Sequence, residues 1–169
     1  AMCLEELGRK DEAHGLFLRL IQTGSPALVA ASAYRLATDA SSAGEIDKAI
    51  QYYQLVIRNA EQNDLKVDAQ YRLGRLFLSS GNPEAAATMF CAVMGNPEAD
   101  VKFVLVSRMG YAALCADTGR LGEAYSEYRK VLETPGVDNR NRGIATLQAA
   151  MLATKLKRLR KPRAFMNGF

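Results

Sequence analysis

The chain of 169 residues has no tryptophan, one histidine, three cysteines and five prolines. Each shortage excludes something. His14 stands between Ala13 and Gly15 with no second imidazole to share a metal or a proton, so it reads as a surface or packing residue. Cys3, Cys91 and Cys115 are odd in number and far apart, with no CxxC pair, which excludes a disulfide framework and a zinc site of familiar spacing. Each falls in a predicted helix, where a lone cysteine serves as a small buried hydrophobe. Unpaired thiols favour a reducing compartment without excluding the periplasm.

Phosphate loops and paired-histidine zinc motifs are missing too. "GRLGEA" at 119–124 follows no predicted strand, so it is not a nucleotide fingerprint. A nucleophilic cysteine would need a positioned histidine, and one histidine with three helix-borne cysteines does not provide it. The acid pairs Glu5 with Glu6 and Asp11 with Glu12 fall on predicted solvent faces or caps. The expectation is no enzyme, no cofactor and no metal. No apolar run approaches the roughly 20 residues of a membrane span. The N-terminus lacks a basic segment ahead of an apolar block, so it is no secretory signal, and it does not read as a natural chain start. A cleaved signal and an excised fragment both stay open, as do a cytoplasmic and a periplasmic location.

What the chain has is repetition. "GRKDEAHGLFLRL" (8–20), "GEIDKAIQYYQLV" (44–56), "GNPEAAATMFCAV" (81–93) and "GRLGEAYSEYRKV" (119–131) share one skeleton of Gly, Ala, Phe or Tyr, and Leu or Val at fixed offsets. Gly8, Gly44, Gly81 and Gly119 are 36, 37 and 38 residues apart. Spacing inside each copy does not vary, so the variation lies in joints such as "TGSP", "NAEQND", "GNPEAD" and "TPGVDN", whose residues end helices and build turns. Self-similarity at such a period points to a solenoid. Apolar residues make up 49% and charged residues 24%, a globular balance.

Each copy reads as two helices around a glycine turn. Leu73, Gly74 and Phe77 share one helical face; Ala86, Phe90, Val93 and Met94 share another. The glycine supplies a left-handed helix end, and Asn82, Pro83 and Glu84 restart the chain as cap, first-turn proline and dipole-matched acid. Ala37, Gly74 and Ala112 form one column of small residues; Ala13, Ala49, Ala86 and Ala124 form a second, beside Phe17, Tyr53, Phe90 and Tyr128. Small side chains let helix axes approach closely, and the aromatics fill the adjoining space.

"YRLGRLFLSSGNPEAAATMF" carries the resemblance to the tetratricopeptide repeat family through Leu73, Gly74, Phe77, Ala86 and Phe90, with Pro97 and Pro135 near the family's closing proline. It extends over roughly residues 1–136. The family's opening large aromatic is replaced by Ala33, Gln70 and Arg108, and the period exceeds 34 residues, which resembles units of bacterial envelope-assembly proteins. The resemblance implies an all-α, right-handed superhelix, an α-solenoid. The expected organisation of residues 1–169 is a single array: a partial unit at 1–26, full units at about 27–63, 64–100 and 101–138, and a terminal helix at about 140–160, a slice of a longer array.

In the family the first helix of each unit lines a concave groove. On that basis Tyr34, Arg35, Thr38, Tyr71, Arg72, Arg75 and Met109 are the expected partner-binding residues, holding a peptide or partner helix with acidic groups near the arginines. The same tyrosines could instead pack between neighbouring units. The family's Lys and Asn clamp for a terminal carboxylate is replaced by Tyr34, Thr38, Tyr71 and Arg75. An intramolecular structural or regulatory segment is the alternative function.

Charge is uneven. "KLKRLRKPR" (155–163) holds Lys155, Lys157, Arg158, Arg160, Lys161 and Arg163; outside it, 16 basic residues face 18 acidic ones. This basic tail reads as a solvated helix end, a contact for anionic lipid, or, least favoured because no aromatic residues interleave, a contact for nucleic acid. A membrane-surface adaptor is therefore a further alternative, and exposed array ends would allow a homodimer.

Overall fold

A computed structural model describes residues 10–160. Within them the chain forms eight helices and no strands. These are α1 (Lys10–Thr23), α2 (Pro26–Ser42), α3 (Ile46–Asn59), α4 (Asn63–Ser79), α5 (Pro83–Met94), α6 (Val101–Asp117), α7 (Leu121–Glu133) and α8 (Asn139–Arg160). They pack in consecutive pairs, as a helical repeat does. The residues divide into two compact units, one ending at Val104 and one starting at Leu105, each with its own core.

The glycine turns are built alike three times. Gly44, Gly81 and Gly119 have φ of 76°, 76° and 81°, a left-handed conformation that a side chain would strain. At each turn the residue after the glycine donates its N–H five residues back: Glu45 to Ala40 (2.9 Å), Asn82 to Phe77 (2.8 Å) and Arg120 to Cys115 (2.7 Å). The glycine N–H reaches back three, to Ser41, Leu78 and Ala116, at 3.2 Å in each case. This is the Schellman closure, which satisfies carbonyls at the helix end. Only Asn82 adds a side-chain cap, accepting from the Ala85 N–H at 3.2 Å.

The small-residue columns are the cores. Ala37, Ala49, Ala86, Ala112 and Ala124 are wholly buried. Phe90 is wholly buried beside them, with Tyr53, Tyr128 and Phe17 nearly so. Gly74 shows why the column must be small: a Cβ there would stand 2.8 Å from Cε1 of Phe90. Cys115 is buried as expected, whereas Cys91 is exposed, because it sits one position past Phe90 on the outer side of α5. Cys3 lies outside the described residues.

The second unit carries a charge inside its core. Arg108, in the slot of the family's opening aromatic, reaches Glu127 on α7, a residue only 8% exposed. Lys130 Nζ donates to Glu127 Oε1 at 2.6 Å. Burial alone would raise the Glu127 pKa; the hydrogen bonds from Lys130 and Arg108 outweigh it and hold the carboxyl below its ordinary 4.5.

Two outcomes follow from this packing. Phe90→Ala is expected to lower stability by about 3–5 kcal/mol in urea denaturation. Glu127→Gln should lower it by about 1–3 kcal/mol at neutral pH. Because the folded pKa of Glu127 is depressed, its contribution is present above pH 4.5 and fades as pH falls through the folded value. Urea midpoints of wild type and Glu127→Gln should therefore converge in acid.

Candidate functional site

In the first unit, the exposed side of α2 and α4 brings the sequence-predicted residues into two tyrosine and arginine pairs. The half-buried Tyr34 donates its hydroxyl to Asp68 Oδ2 on the next first helix. Asp68 also receives Arg72 Nε, at 2.9 and 3.0 Å to its two oxygens. The Arg72 guanidinium lies 5.6 Å from the Tyr34 ring centroid, and Tyr53 meets that ring edge-on at 5.9 Å. Tyr34, Asp68 and Arg72 thus stitch one repeat to the next. Burial first, and the Asp68 hydrogen bond second, push the Tyr34 pKa up to about 12.

The second pair is Tyr71 and Arg75. Tyr71 packs on Phe90 and Phe103, with ring centroids 6.3 and 6.2 Å away. Arg75 holds its guanidinium 5.9 Å from the Tyr71 centroid. Among the described residues no acidic side chain pairs with Arg75. This exposed guanidinium borders a recess of about 180 Å³ lined also by Ser41, Tyr53, Arg72, Leu76 and Ser79. The recess offers the Arg75 guanidinium beside the Ser41 hydroxyl, while the Ser79 hydroxyl donates to the Leu76 carbonyl at 2.8 Å; the guanidinium donors suit a carboxylate or another oxyanion.

The remaining predicted residues are placed otherwise. Arg35 lies 3.8 Å from Asp39 on its own helix, and Thr38 donates to the Tyr34 carbonyl at 2.9 Å. Met109 belongs to the second unit, where it packs against that unit's core. Lys155, Lys157 and Arg158 are exposed on α8; the side chain of Arg160 and all of Lys161 and Arg163 fall outside the described positions. Sequence reading missed Asp68, although its i, i+4 spacing to Arg72 was a usable signal. It also missed Ser79, whose part in the recess depends on tertiary packing.

Two larger recesses, of about 430 and 380 Å³, recur in the same register of successive repeats. Leu36, Ala40, Lys48 and Tyr52 line one; Leu73, Phe77, Ala85 and Met89 line the other. Repeat packing generates both, and their unlike chemistry argues against one shared ligand. Among the described residues no cluster of His, Cys, Asp or Glu is placed to hold a metal ion, and no helix is long and apolar enough to cross a membrane.

Tyr34→Phe should cost about 1 kcal/mol near neutral pH. A raised tyrosine pKa contributes stability that is whole below pH 10 and lost as pH rises through about 12. Denaturation midpoints of Tyr34→Phe and wild type should therefore converge in strong alkali.

Residues 34–93 match the family profile described as "Tetratricopeptide repeat". The match starts at Tyr34 in α2 and ends at Val93 in α5, so it spans the best-matched glycine turn and both small-residue columns around it. No curated protein matches the chain. Repeats of this kind generally mediate protein–protein interaction and are typically non-catalytic. This match, with the glycine turns at Gly44 and Gly81 and the buried alanine columns beside them, marks residues 34–93 as tetratricopeptide repeats.

Proposed function

We propose that the chain is a non-catalytic scaffold that holds a peptide or partner helix along the first-helix face of the unit ending at Val104, with Arg75 receiving an acidic group of that partner. The observation that carries this reading is the Arg75 guanidinium, stacked on Tyr71 with no acid beside it, at the edge of a recess holding the Ser41 and Ser79 hydroxyls. An arginine pre-positioned on an aromatic face loses little entropy on meeting a carboxylate. Tyr and Arg are also the residue types that dominate interface energetics.

The seven predicted residues divide by role in this reading. Tyr34 and Arg72 are engaged with Asp68 and act as structural stitches. Tyr71 is a platform that packs on Phe90 and Phe103 and carries Arg75 over its ring. Arg75 is the contact residue with Ser41 beside it in the recess, and Thr38 is held by its own helix through the Tyr34 carbonyl. The described basic residues of α8 lie in the other unit and are not needed for this contact.

Arg75→Glu is the variant of choice, because Arg75 is exposed and its loss opens no cavity. Binding would be read on an array of synthetic peptides in which glutamate, lysine and leucine positions are permuted. Wild type should prefer peptides with a glutamate next to an apolar residue, and Arg75→Glu should lose about tenfold on those peptides. An identical peptide profile for two proteins of equal helicity would sink the groove reading.

A further inference from the structure

α8 is a first helix by its register, yet one face of it lies open. Take the small residue of each first helix as reference: Ala37, Gly74, Ala112 and Ala149, all buried. Five positions earlier stand Ser32, Ala69 and Ser107, also buried, and then Ile144, which is 40% exposed. Two positions later, Leu76 and Leu114 are buried in α4 and α6, while Met151 in α8 is 59% exposed. Leu147, between them, is 60% exposed. The opposite side of α8, through Ala145, Ala149 and Leu152, is committed to the core of the second unit.

The open face has a pattern. Arg140, Ile144, Leu147, Met151, Thr154 and Arg158 follow one another at intervals of 4, 3, 4, 3 and 4 residues. That is the seam spacing of a helix that packs against a second helix along its length. The centre of the seam is apolar and both ends are arginine. α8 has no Asp or Glu anywhere among its residues, and its basic side chains Arg140, Arg142, Lys155, Lys157 and Arg158 are exposed. Among the described residues none of these five takes part in an ion pair.

We infer that this seam docks an amphipathic helix of a partner protein that brings apolar residues to Ile144, Leu147 and Met151 and acidic residues to Arg140 and Arg158. Charge selects among the candidate occupants. A second α8 packed antiparallel would set Arg140 against Arg158 at both ends, and packed parallel would set each arginine against itself; neither arrangement neutralises a charge, and like charges in register oppose association. An anionic bilayer would be met by a broad apolar face with aromatic anchors, whereas the apolar centre of this seam is three side chains long, only Leu159 is a further large exposed apolar residue of α8, and α8 has no Trp, Tyr or Phe. A helix with an apolar centre and acidic ends satisfies both features at once. This surface lies in the unit starting at Leu105 and is independent of Arg75.

The test uses the whole chain and a fluorescent three-heptad peptide with leucine at the seam positions and glutamate at its ends and flanks. Its control is the same peptide with lysine for glutamate. The glutamate peptide should bind about tenfold or more tightly than the lysine peptide by anisotropy. Leu147→Lys/Met151→Lys, both at exposed positions, should abolish that binding without lowering the thermal midpoint. Arg140→Glu/Arg158→Glu should reverse the preference in favour of the lysine peptide. Arg75→Glu should leave all of these values unchanged, which separates this seam from the groove. Equal affinity for the two peptides, or binding insensitive to Leu147→Lys/Met151→Lys, would overturn the inference. So would self-association by sedimentation, or retention on vesicles of phosphatidylcholine and phosphatidylserine, if either is lost in that double variant.

Discussion

The close crossing of first and second helices is the constraint on which everything else rests. At Gly74 the backbone of α4 comes so near the Phe90 ring that a single added carbon would collide with it. Ala37 and Ala112 hold the same column elsewhere, with Tyr53 and Tyr128 among the buried aromatics of their cores. Such a contact is strong because it is dense, and density leaves no room for compensation. It fixes the distance between paired helices and forces the turn joining them into one geometry. The outward faces of the first helices are thereby left to serve other purposes.

What those faces do divides between holding repeats together and remaining available. Tyr34 is bound on every side: by Asp68 at its hydroxyl, by Tyr53 at its edge and by Arg72 at its face. Tyr71, one repeat later, has no carboxylate beside it, and its arginine is consequently not neutralised. The same residue type in the same slot is thus a rivet in one repeat and a platform in the next. The difference traces to Asp68, whose counterpart one repeat earlier is Ala31 and one repeat later Val106. A comparable cluster forms in the second unit, where Tyr111 donates to Glu123 at 2.6 Å and Arg120 covers the ring at 5.6 Å, but its acid comes from the partner helix of the pair instead of the next repeat.

Much of the fold was legible because the repeat writes the same physical demands several times. The glycine at a left-handed helix end, the alanine at a crossing and the aromatic beside it each appear in register, and each needs only local or nearest-neighbour packing to be read. Asn82 as a cap and Gly44, Gly81 and Gly119 as turns are of this kind. Polar pairing between helices was less legible. Arg108 was recognised as a departure from the family pattern, but that Glu127 answers it across the core depends on two side chains nineteen residues apart in sequence. The candidate site was readable to the level of a face and a set of residues. Which tyrosine is engaged and which arginine is left over depends on distances that spacing does not encode.

The three glycine turns keep their shape through backbone hydrogen bonds alone in two cases, and with one side-chain cap in the third. Their tips face solvent, and the residue after each glycine is Glu45, Asn82 or Arg120: negative, neutral and positive on one and the same backbone. A change of side chain at these positions leaves the turn's backbone hydrogen bonds in place. A lineage carrying this repeat can rewrite the charge of its turn tips by single substitutions, trying new surface chemistry there while the columns that hold the helices together stay untouched.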